Sequence, residues 1–250
     1  MSAKIALSHV GKTFPTTTGP LVVLDDINLD IKEGEFVAVV GASGCGKSTL
    51  LRLLMGLEQA NAGQLKFRGQ DAGDTGARLG IVFQDHRLFP WLTVLDNVLL
   101  GLEGAAESRA KKLEKARAAI ATVGLSDFES AHPSRLSGGM AQRAAIARAL
   151  VGSPDVLLMD EPFGALDAFT KLYMQKELLR IWQLEQRTTV LVTHDIEEAV
   201  FLADRIVVLA SGPGRIEDIV PVSLERPRDR SSQSFQRIKD SILKRILGEH

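Results

Sequence analysis

The chain has 250 residues, 45% hydrophobic and 24% charged, the balance of an ordinary globular protein with room for a large core. Lys and Arg number 30 against 31 Asp and Glu, and the resulting net charge of −1 gives no basic excess for nucleic acid, so we expect no nucleic-acid partner. No apolar run reaches the roughly 18 residues of a membrane-spanning helix. The single cysteine, Cys45, excludes an internal disulfide and favours a reducing cytoplasm.

The first part of the chain is predicted to be rich in strands. The strict alternation of Ile27–Ile31 is typical of a half-buried β-strand, and Ile5–Phe14 and Leu65–Phe67 show weaker forms of the same pattern. Glu35–Val40 is a short apolar run, which predicts a fully buried parallel strand. After a glycine-rich loop, Leu50–Leu57 is apolar on nearly every face and predicts a buried helix.

Residues from about 85 to 150 are predicted to form a helical subdomain inserted between strands of one α/β core. Its clearest helices are Glu107–Val123, closed by Gly124, and an alanine-rich helix that follows Ser137. Further strands are predicted at Leu79–Phe83, Val156–Met159, Thr189–Thr193, Arg205–Ala210 and Ile216–Val222, and further helices at Glu177–Glu185 and Ile196–Ala203. This alternation favours a mostly parallel sheet with crossover helices, preceded by an antiparallel N-terminal β subdomain.

Residues 226–250 differ in character from residues 1–225. Pro227 and Arg228–Ser232 are typical of a flexible linker. An amphipathic helix follows, with its apolar face formed by Phe235, Ile238, Ile242, Leu243, Ile246 and Leu247. Packing of this helix on its own domain and docking on a partner both remain open, whereas its short length and mixed flanking charges argue against a membrane surface.

The segment Gly41–Ser48 matches the phosphate-loop pattern G-x-x-x-x-G-K-[ST] at every fixed position. Its glycines allow backbone N–H groups to turn toward phosphate oxygens, and the helix that follows adds its positive N-terminal end. Lys47 supplies a charge for the β- and γ-phosphates, and the Ser48 hydroxyl is a ligand for Mg²⁺. The predicted nucleotide-binding residues of this loop are Gly41, Ser43, Gly44, Cys45, Gly46, Lys47, Ser48 and Thr49.

Cys45 within this loop has two interpretations. It is either a small residue that fits the loop or a reactive thiol, since the N-terminus of a helix lowers the pKa of a thiol. A reactive thiol would make alkylation block nucleotide binding, and ATP would protect it.

Polar residues end three of the predicted strands. The apolar run Val156–Met159 is followed by Asp160, placed to hold Mg²⁺, and by Glu161, which can act as the general base on an attacking water. Gln84 follows another strand and can ligate Mg²⁺ or orient water, and His194 can donate to a γ-phosphate oxygen. Convergence of these strand ends would form one hydrolytic site.

With the run Leu136–Arg143, which reads Leu-Ser-Gly-Gly-Met-Ala-Gln-Arg, the chain resembles the ATP-binding-cassette (ABC) ATPases over about residues 4–225. Six separated motifs occur in the family's order: Phe14, Gly41–Ser48, Gln84, Leu136–Gln142, Val156–Glu161 and His194. The resemblance implies a dimer with ATP between two head-to-tail chains, in which Ser137, Gly138 and Gly139 meet the γ-phosphate held by the other subunit. It also implies that Asp167 crosses the dimer interface. Phe14 would stack on adenine, although a simple core phenylalanine is an equal alternative.

One position departs from the family's usual Leu-Ser-Gly-Gly-Gln element, because Met140 stands where the glutamine is usual. Ser137 and both glycines remain, so anion binding should survive. A side-chain contact of the missing glutamine with the ribose or the opposite subunit is in doubt.

Several stretches resemble the energising subunits of bacterial importers for nitrate, sulfonates and taurine. They are Leu88–Val94, Asp160–Phe169, Thr193–Phe201 and Ser211–Arg215. This resemblance implies a peripheral location on the cytoplasmic face of the inner membrane, permease subunits as direct partners and a periplasmic solute-binding protein as an indirect one. Phe89, Pro90 and Trp91 would then accept a coupling helix of the permease; burial within the helical subdomain is their alternative.

Other functions fit the sequence less well. A cassette that serves DNA repair or translation generally carries two cassettes, long coiled coils or a zinc insert, and one cysteine cannot build a zinc site. A switch GTPase would need D-x-x-G and N-K-x-D, and neither pattern occurs. A module that holds ATP without turnover would have no use for Glu161 and His194.

Overall fold

The computed structural model describes residues 3–71 and 77–248, so the outer limits of the predicted segments, residues 1 and 250, lie outside it. The chain forms two compact units. The first contains the residues up to Ala77 together with those from Arg187 onward, and the second contains Arg78–Gln186.

The described residues form ten strands and seven α-helices. The strands are β1 (Ala3–Thr16), β2 (Gly19–Lys32), β3 (Phe36–Gly41), β4 (Ala62–Phe67), β5 (Gln70–Asp71), β6 (Leu79–Val82), β7 (Val156–Asp160), β8 (Thr188–Val192), β9 (Arg205–Ala210) and β10 (Arg215–Pro221). The helices are α1 (Lys47–Leu54), α2 (Val94–Leu99), α3 (Arg109–Thr122), α4 (Gly138–Val151), α5 (Ala168–Glu185), α6 (Ile196–Leu202) and α7 (Gln233–Leu247).

The first unit contains an antiparallel sheet in the order β2-β1-β4-β5. The alternation of Ile27–Ile31 has the predicted effect: Ile27, Leu29 and Ile31 are buried, while Asn28 and Asp30 between them are exposed. The antiparallel N-terminal β subdomain is therefore confirmed.

The first unit also contains β3, β8 and β9, which pair in parallel and are its central buried strands. β3 pairs in parallel with β8 on one side and β9 on the other, and β10 closes a hairpin on β9. Every residue of β3 is buried, as the apolar run predicted. The α/β fold class is confirmed, because β6 and β7 of the second unit also pair in parallel.

The second unit places α2, α3 and α4 between β6 and β7 along the chain, and these helices pack on one another. Small side chains make close packing of α4 possible: Ala141, Ala144, Ala145 and Ala147 are all buried. Gly124 does not form the C-cap of α3 itself, which is Val123, but follows it with φ +66.

The predicted start of α5 at Glu177 is wrong, because the helix begins at Ala168. Its first turns expose Phe169 and Tyr173, so no apolar face marks them in the sequence. The helix is started instead by its cap, the carboxylate of Asp167, which accepts the N–H groups of Phe169 and Thr170.

The prediction of a flexible linker at Arg228–Ser232 is also wrong at its start, since Arg228 is 5% exposed and donates hydrogen bonds to five main-chain carbonyls. After it, α7 buries Phe235 and Ile242 and contacts α6 and β9. These contacts favour packing of the tail helix on its own unit, although Leu243 and Leu247 stay exposed. Among the described residues, no helix combines the length and the hydropathy needed to cross a bilayer.

Candidate functional site

The phosphate loop connects β3 to α1 in the first unit, and close packing requires glycine at two of its positions, Gly41 and Gly46. A Cβ at Gly41 would lie 2.5 Å from the carbonyl oxygen of Leu209, and one at Gly46 would lie 2.6 Å from Cδ2 of Leu24. Gly46 also has φ +96, a left-handed conformation that a side chain disfavours. Ala42, Ser43 and Gly44 at the tip of the loop, and Ser48 at the start of α1, are exposed, while Thr49 is half-buried.

Lys47 is the first residue of α1, and 8% of its surface is exposed. Its ammonium donates to the carbonyl oxygens of Gly41 and Ala42, both at 2.9 Å. These contacts hold a positive charge in the curve of the loop, where a bound phosphate needs one. A phosphate would take the place of these carbonyls as the partner of the ammonium.

Cys45 is 1% exposed, and its Sγ lies 2.7 Å from the position that a Cβ at Gly41 would occupy. The thiol therefore packs beneath the loop and is closed to reagents in solution. This geometry favours the interpretation of Cys45 as a small packing residue over that of a reactive thiol.

His194 follows β8 at the same edge of the first unit as the phosphate loop. Val39 of β3 pairs with Val192 of β8, so Gly41 and His194 each lie two residues beyond a paired position. The N–H of Thr193 donates to the carbonyl of Val39 at 3.2 Å, which ties the start of this connection to β3. His194 itself is exposed.

Phe14 belongs to β1 and is half-buried, so the structure does not place it in the core. The ammonium of Lys12 lies 4.7 Å from the centre of its ring, a cation–π distance. Stacking on an adenine remains an expectation from the family resemblance.

The two predicted site carboxylates, Asp160 and Glu161, lie in the second unit, where β6 and β7 end side by side. Val82 pairs with Met159, so Gln84 and Glu161 each lie two residues past a paired position. Nε2 of Gln84 lies 3.4 Å from Oε2 of Glu161, and the structure thus brings together two of the predicted strand-end residues. Asp160, the last residue of β7, is half-buried.

Glu161 has φ +44, a left-handed conformation that costs an ordinary residue about 1–2 kcal/mol. The turn that follows is tight, with the N–H of Gly164 donating to the carbonyl of Glu161 at 3.1 Å. Strain of this kind persists where the surroundings fix the backbone, which is common at functional sites.

Two further side chains support this region, the buried Gln142 and the half-buried Arg148, and the sequence predicted no individual role for either. Gln142 on α4 is 1% exposed and donates to the carbonyl of Phe83 at 3.0 Å, beside Gln84. Arg148, one turn and a half further along, donates to the carbonyls of His86 and Arg87. Burial lowers the pKa of Arg148. In the sequence Gln142 is only the last residue of the motif Leu136–Gln142, and the main-chain acceptors of both side chains leave no signal in the sequence.

Asn97 organises the loop of aromatic residues after Gln84. It is fully buried, accepts the N–H of Phe89 at 2.8 Å and donates to the carbonyls of Phe89, Leu92 and Thr93. Phe89 and Trp91 are nevertheless 42% and 69% exposed, with ring centroids 5.3 Å apart. The alternative of burial is therefore wrong, and this aromatic pair forms an apolar feature on the surface.

Ser137 caps the 14-residue helix α4, and its Oγ accepts the N–H of Met140 at 3.2 Å. Gly138 is exposed, and a Cβ there would meet nothing within 4 Å, so the helix start is open to a ligand. The N–H groups of Gly138 and Gly139 lack acceptors within the helix, as at any helix start. The cap uses the backbone N–H of Met140, so the geometry of the cap does not depend on the side chain at this position, and anion binding here stays a prediction.

Asp167 is exposed, and its carboxylate is held by hydrogen bonds at the start of α5. The Thr170 side chain and then the Thr170 N–H are the largest causes that lower its pKa below the ordinary 3.8. The carboxylate is thus kept ionised at the helix N-terminus, where a negative charge is stabilised.

The chain matches the model of the family described as "ABC transporter" over residues 24–164, more than half its length. It is 47% identical to an uncharacterized ABC transporter ATP-binding protein of Methanocaldococcus jannaschii, over 100% of this chain and 93% of that protein. It is 48% identical to the aliphatic sulfonates import ATP-binding protein SsuB of Bacillus licheniformis, over 98% of this chain and 94% of SsuB.

A solved structure of similar fold is the dimeric ABC transporter cassette MJ0796, with a TM-score of 0.80 and 34% identity over 88% of this chain and all of that one. A second structure of that cassette, dimeric in a post-hydrolysis state bound to ADP and phosphate, gives a TM-score of 0.79 at 33% identity and the same coverage. The chain that carries this phosphate loop, these strand-end carboxylates and this serine-capped helix therefore belongs to the ABC transporter family and is a nucleotide-binding, ATP-hydrolysing ATPase.

Proposed function

We propose that this ATPase powers an importer of aliphatic sulfonates or of the related nitrate and taurine-like solutes, and that it works as a dimer. SsuB relatives named for sulfonate import are 43% and 48% identical over nearly the whole chain, which supports this solute class. An importer of another solute class is the main alternative, because other relatives carry no assigned solute. A non-transport ABC ATPase is the second.

One observation supports the proposal that the protein works as a dimer. The start of α4 is capped by Ser137 and open at Gly138, so it is a second anion site in the same chain as the phosphate loop. In the family this element binds the γ-phosphate held by the other subunit. A closed twofold pair then gives two equivalent sites, consistent with the dimeric cassettes of similar fold.

The first step is binding of ATP. Lys47 exchanges the carbonyls of Gly41 and Ala42 for the β- and γ-phosphate oxygens, and exposed N–H groups of the loop donate to the phosphates. Phe14 stacks on the adenine. The loop is already shaped by its glycines, so little conformational entropy is lost when ATP binds.

Ser48, Gln84 and Asp160 are the residues that would hold Mg²⁺. Their donors are oxygens, as this ion prefers, and because the Gln84 amide directs its N–H toward Glu161, its oxygen is the atom left to face a cation. When bound, Mg²⁺ would neutralise charge on the β- and γ-phosphates.

Hydrolysis follows when the dimer closes. Glu161 takes a proton from the attacking water, His194 donates to the γ-phosphate, and the Ser137 helix start of the other subunit stabilises the charge that develops. Loss of phosphate removes the group that both subunits bind, and the dimer reopens. The exposed pair Phe89 and Trp91 passes this movement to the permease, at the cytoplasmic face of the membrane.

The solute class is tested with the ATPase assembled with its permease in lipid vesicles and supplied with the periplasmic solute-binding protein. Turnover should rise when the binding protein carries an aliphatic sulfonate, taurine or nitrate. A response only to a solute of another class would contradict the assignment, and no response to any solute would favour the non-transport alternative.

A further inference from the structure

The segment Arg226–Arg230, which overlaps the predicted linker at Pro227 and Arg228–Ser232, contacts the helix that follows His194. Arg226, Arg228 and Arg230 all direct their guanidinium groups at α6 or its C-terminal end. The first unit contains both partners, so these contacts are internal to one compact body.

Arg228 provides the central contact. Its Nη1 donates to the carbonyls of Val200 at 2.7 Å, Ala203 at 2.7 Å and Phe201 at 3.3 Å, at the C-terminal end of α6. Its Nη2 and Nε donate to the carbonyls of Val222 and Leu224, which follow β10. One buried guanidinium therefore joins the end of α6 to the segment after β10.

Arg226 donates to the carbonyl of Leu202 at 2.6 Å, the one carbonyl of residues 200–203 that Arg228 does not contact. The two arginines together satisfy the consecutive carbonyls of residues 200–203, which a helix end leaves without partners. Their charge is also favourable at a helix C-terminus. Arg226 is fixed in turn by Asp204, at 2.6 Å.

Arg230 reaches the other end of the same helix. Its guanidinium lies 3.6 Å from the ring centre of Phe201 and forms an ion pair at 3.2 Å with Glu197, in the first turn of α6. Lys239 of α7 approaches the same carboxylate at 3.9 Å. The arginine segment thus contacts α6 along its whole length.

The N-cap of this helix directly follows His194 in the chain. Asp195 is its N-cap and accepts the N–H of Glu198 at 3.1 Å, and α6 is only seven residues long. A helix of two turns moves as a rigid piece, so fixing its C-terminal end also fixes its first turn and its N-cap Asp195, to which His194 is directly joined. On the far side, Thr193 is held by β3, as described above.

We propose that Arg228 is a positioning residue for His194, acting on ATP hydrolysis through α6 rather than on ATP binding. The phosphate loop makes none of these contacts among the residues that the structure describes, so the affinity for ATP should be independent of Arg228. Lysine at this position keeps the charge but offers at most three N–H donors in place of the planar set of five. The inference rests on the proposed role of His194 at the γ-phosphate.

The test is a double-mutant cycle on the full chain assembled with its permease, measuring kcat and KM for ATP. Arg228→Lys should lower kcat about 10-fold, since a small displacement of a catalytic group is costly, and should leave KM within about twofold. In a His194→Ala background the same change should lower kcat less than about twofold, because the group it positions is gone. Should Arg228→Lys fail to fold, Arg226→Lys undergoes the same cycle.

Arg245→Gln is the matched control, since Arg245 binds Asp218 and its own helix in the tail and should leave kcat unchanged. An equal fall in kcat with and without His194 would overturn the positioning role. A wild-type complex without ATP hydrolysis, or a His194→Ala complex with full turnover, would instead contradict the proposed function.

Discussion

The amide of Gln84 and the carboxylate of Glu161 approach to 3.4 Å, so the ends of two neighbouring parallel strands orient the proposed general base. The backbone of Glu161 is held in a left-handed conformation at the same point. Position and strain together favour the proposed catalytic role of Glu161, whose backbone conformation lowers the stability of the fold.

Glu161→Gly should therefore raise stability while it abolishes hydrolysis. Glycine adopts φ +44 without penalty, so we expect the free energy of unfolding to rise by about 1 kcal/mol. Gln186→Gly is the control, because Gln186 ends α5 with φ +45 and should give a similar gain with normal turnover. Thermal unfolding and ATPase assays on both variants check this, and a less stable Glu161→Gly variant would show that the turn is not strained.

Ser137→Arg should abolish hydrolysis and leave ATP binding by the single subunit intact. The long cationic side chain fills the open start of α4 that is proposed to meet the γ-phosphate of the partner. Loss of the cap alone costs about 1 kcal/mol. Ser108→Arg is the control, because it removes the equivalent cap of α3 and should retain turnover. It therefore separates the loss of a helix cap from the loss of the phosphate contact. Equal loss of hydrolysis in both variants would mean that capping, not phosphate contact, is responsible.

Trp91→Ala should uncouple the ATPase from its permease without unfolding it. Trp91 is 69% exposed, so the change in the free energy of unfolding should stay within about 0.5 kcal/mol. Stimulation of turnover by the permease should fall, with basal turnover kept. Leu184→Ala, an equally exposed apolar residue of the second unit, is the control. Normal stimulation of the Trp91 variant would place the permease contact elsewhere.

The pKa of Asp167 should lie below 3.8 and rise toward it in Thr170→Val, which removes the hydroxyl that makes the largest contribution. Because the pKa is lowered on folding, the ionised cap stabilises the native state above pH 3.8, and this contribution disappears as pH falls through the folded pKa. Titration of the carboxyl carbon by NMR measures both values. The same pKa in the two proteins would show that Thr170 does not hold the carboxylate.

The parts of the fold that were predictable are those with a local pattern. The alternation at Ile27–Ile31 predicts a strand with one buried face. The phosphate loop is a contiguous run in the sequence, and the geometry of the loop explains why its glycines are needed. The pairing of Gln84 with Glu161 followed from parallel strands ending at one edge.

The features that could not be predicted from the sequence are mainly of two kinds. Some are hydrogen bonds to main-chain carbonyls, and others involve apolar residues that are exposed. Arg228 bonds to carbonyls as far as 28 residues away, and Gln142 to one 59 residues away, and neither acceptor has a side-chain signature. The start of α5 was missed because exposed Phe169 and Tyr173 disrupt the apolar periodicity expected of a packed helix. The burial of Cys45 depends on Gly41, whose missing side chain leaves the space that the thiol borders.

The dimer is tested most directly by sedimentation of Glu161→Gln with saturating Mg-ATP. Removing the general base should slow hydrolysis by at least about 10²-fold, so ATP persists between the two subunits. We predict a stable dimer with Mg-ATP and dissociation when Mg-ADP replaces it. A variant that stays monomeric with bound ATP, both in solution and with its permease, would contradict the account.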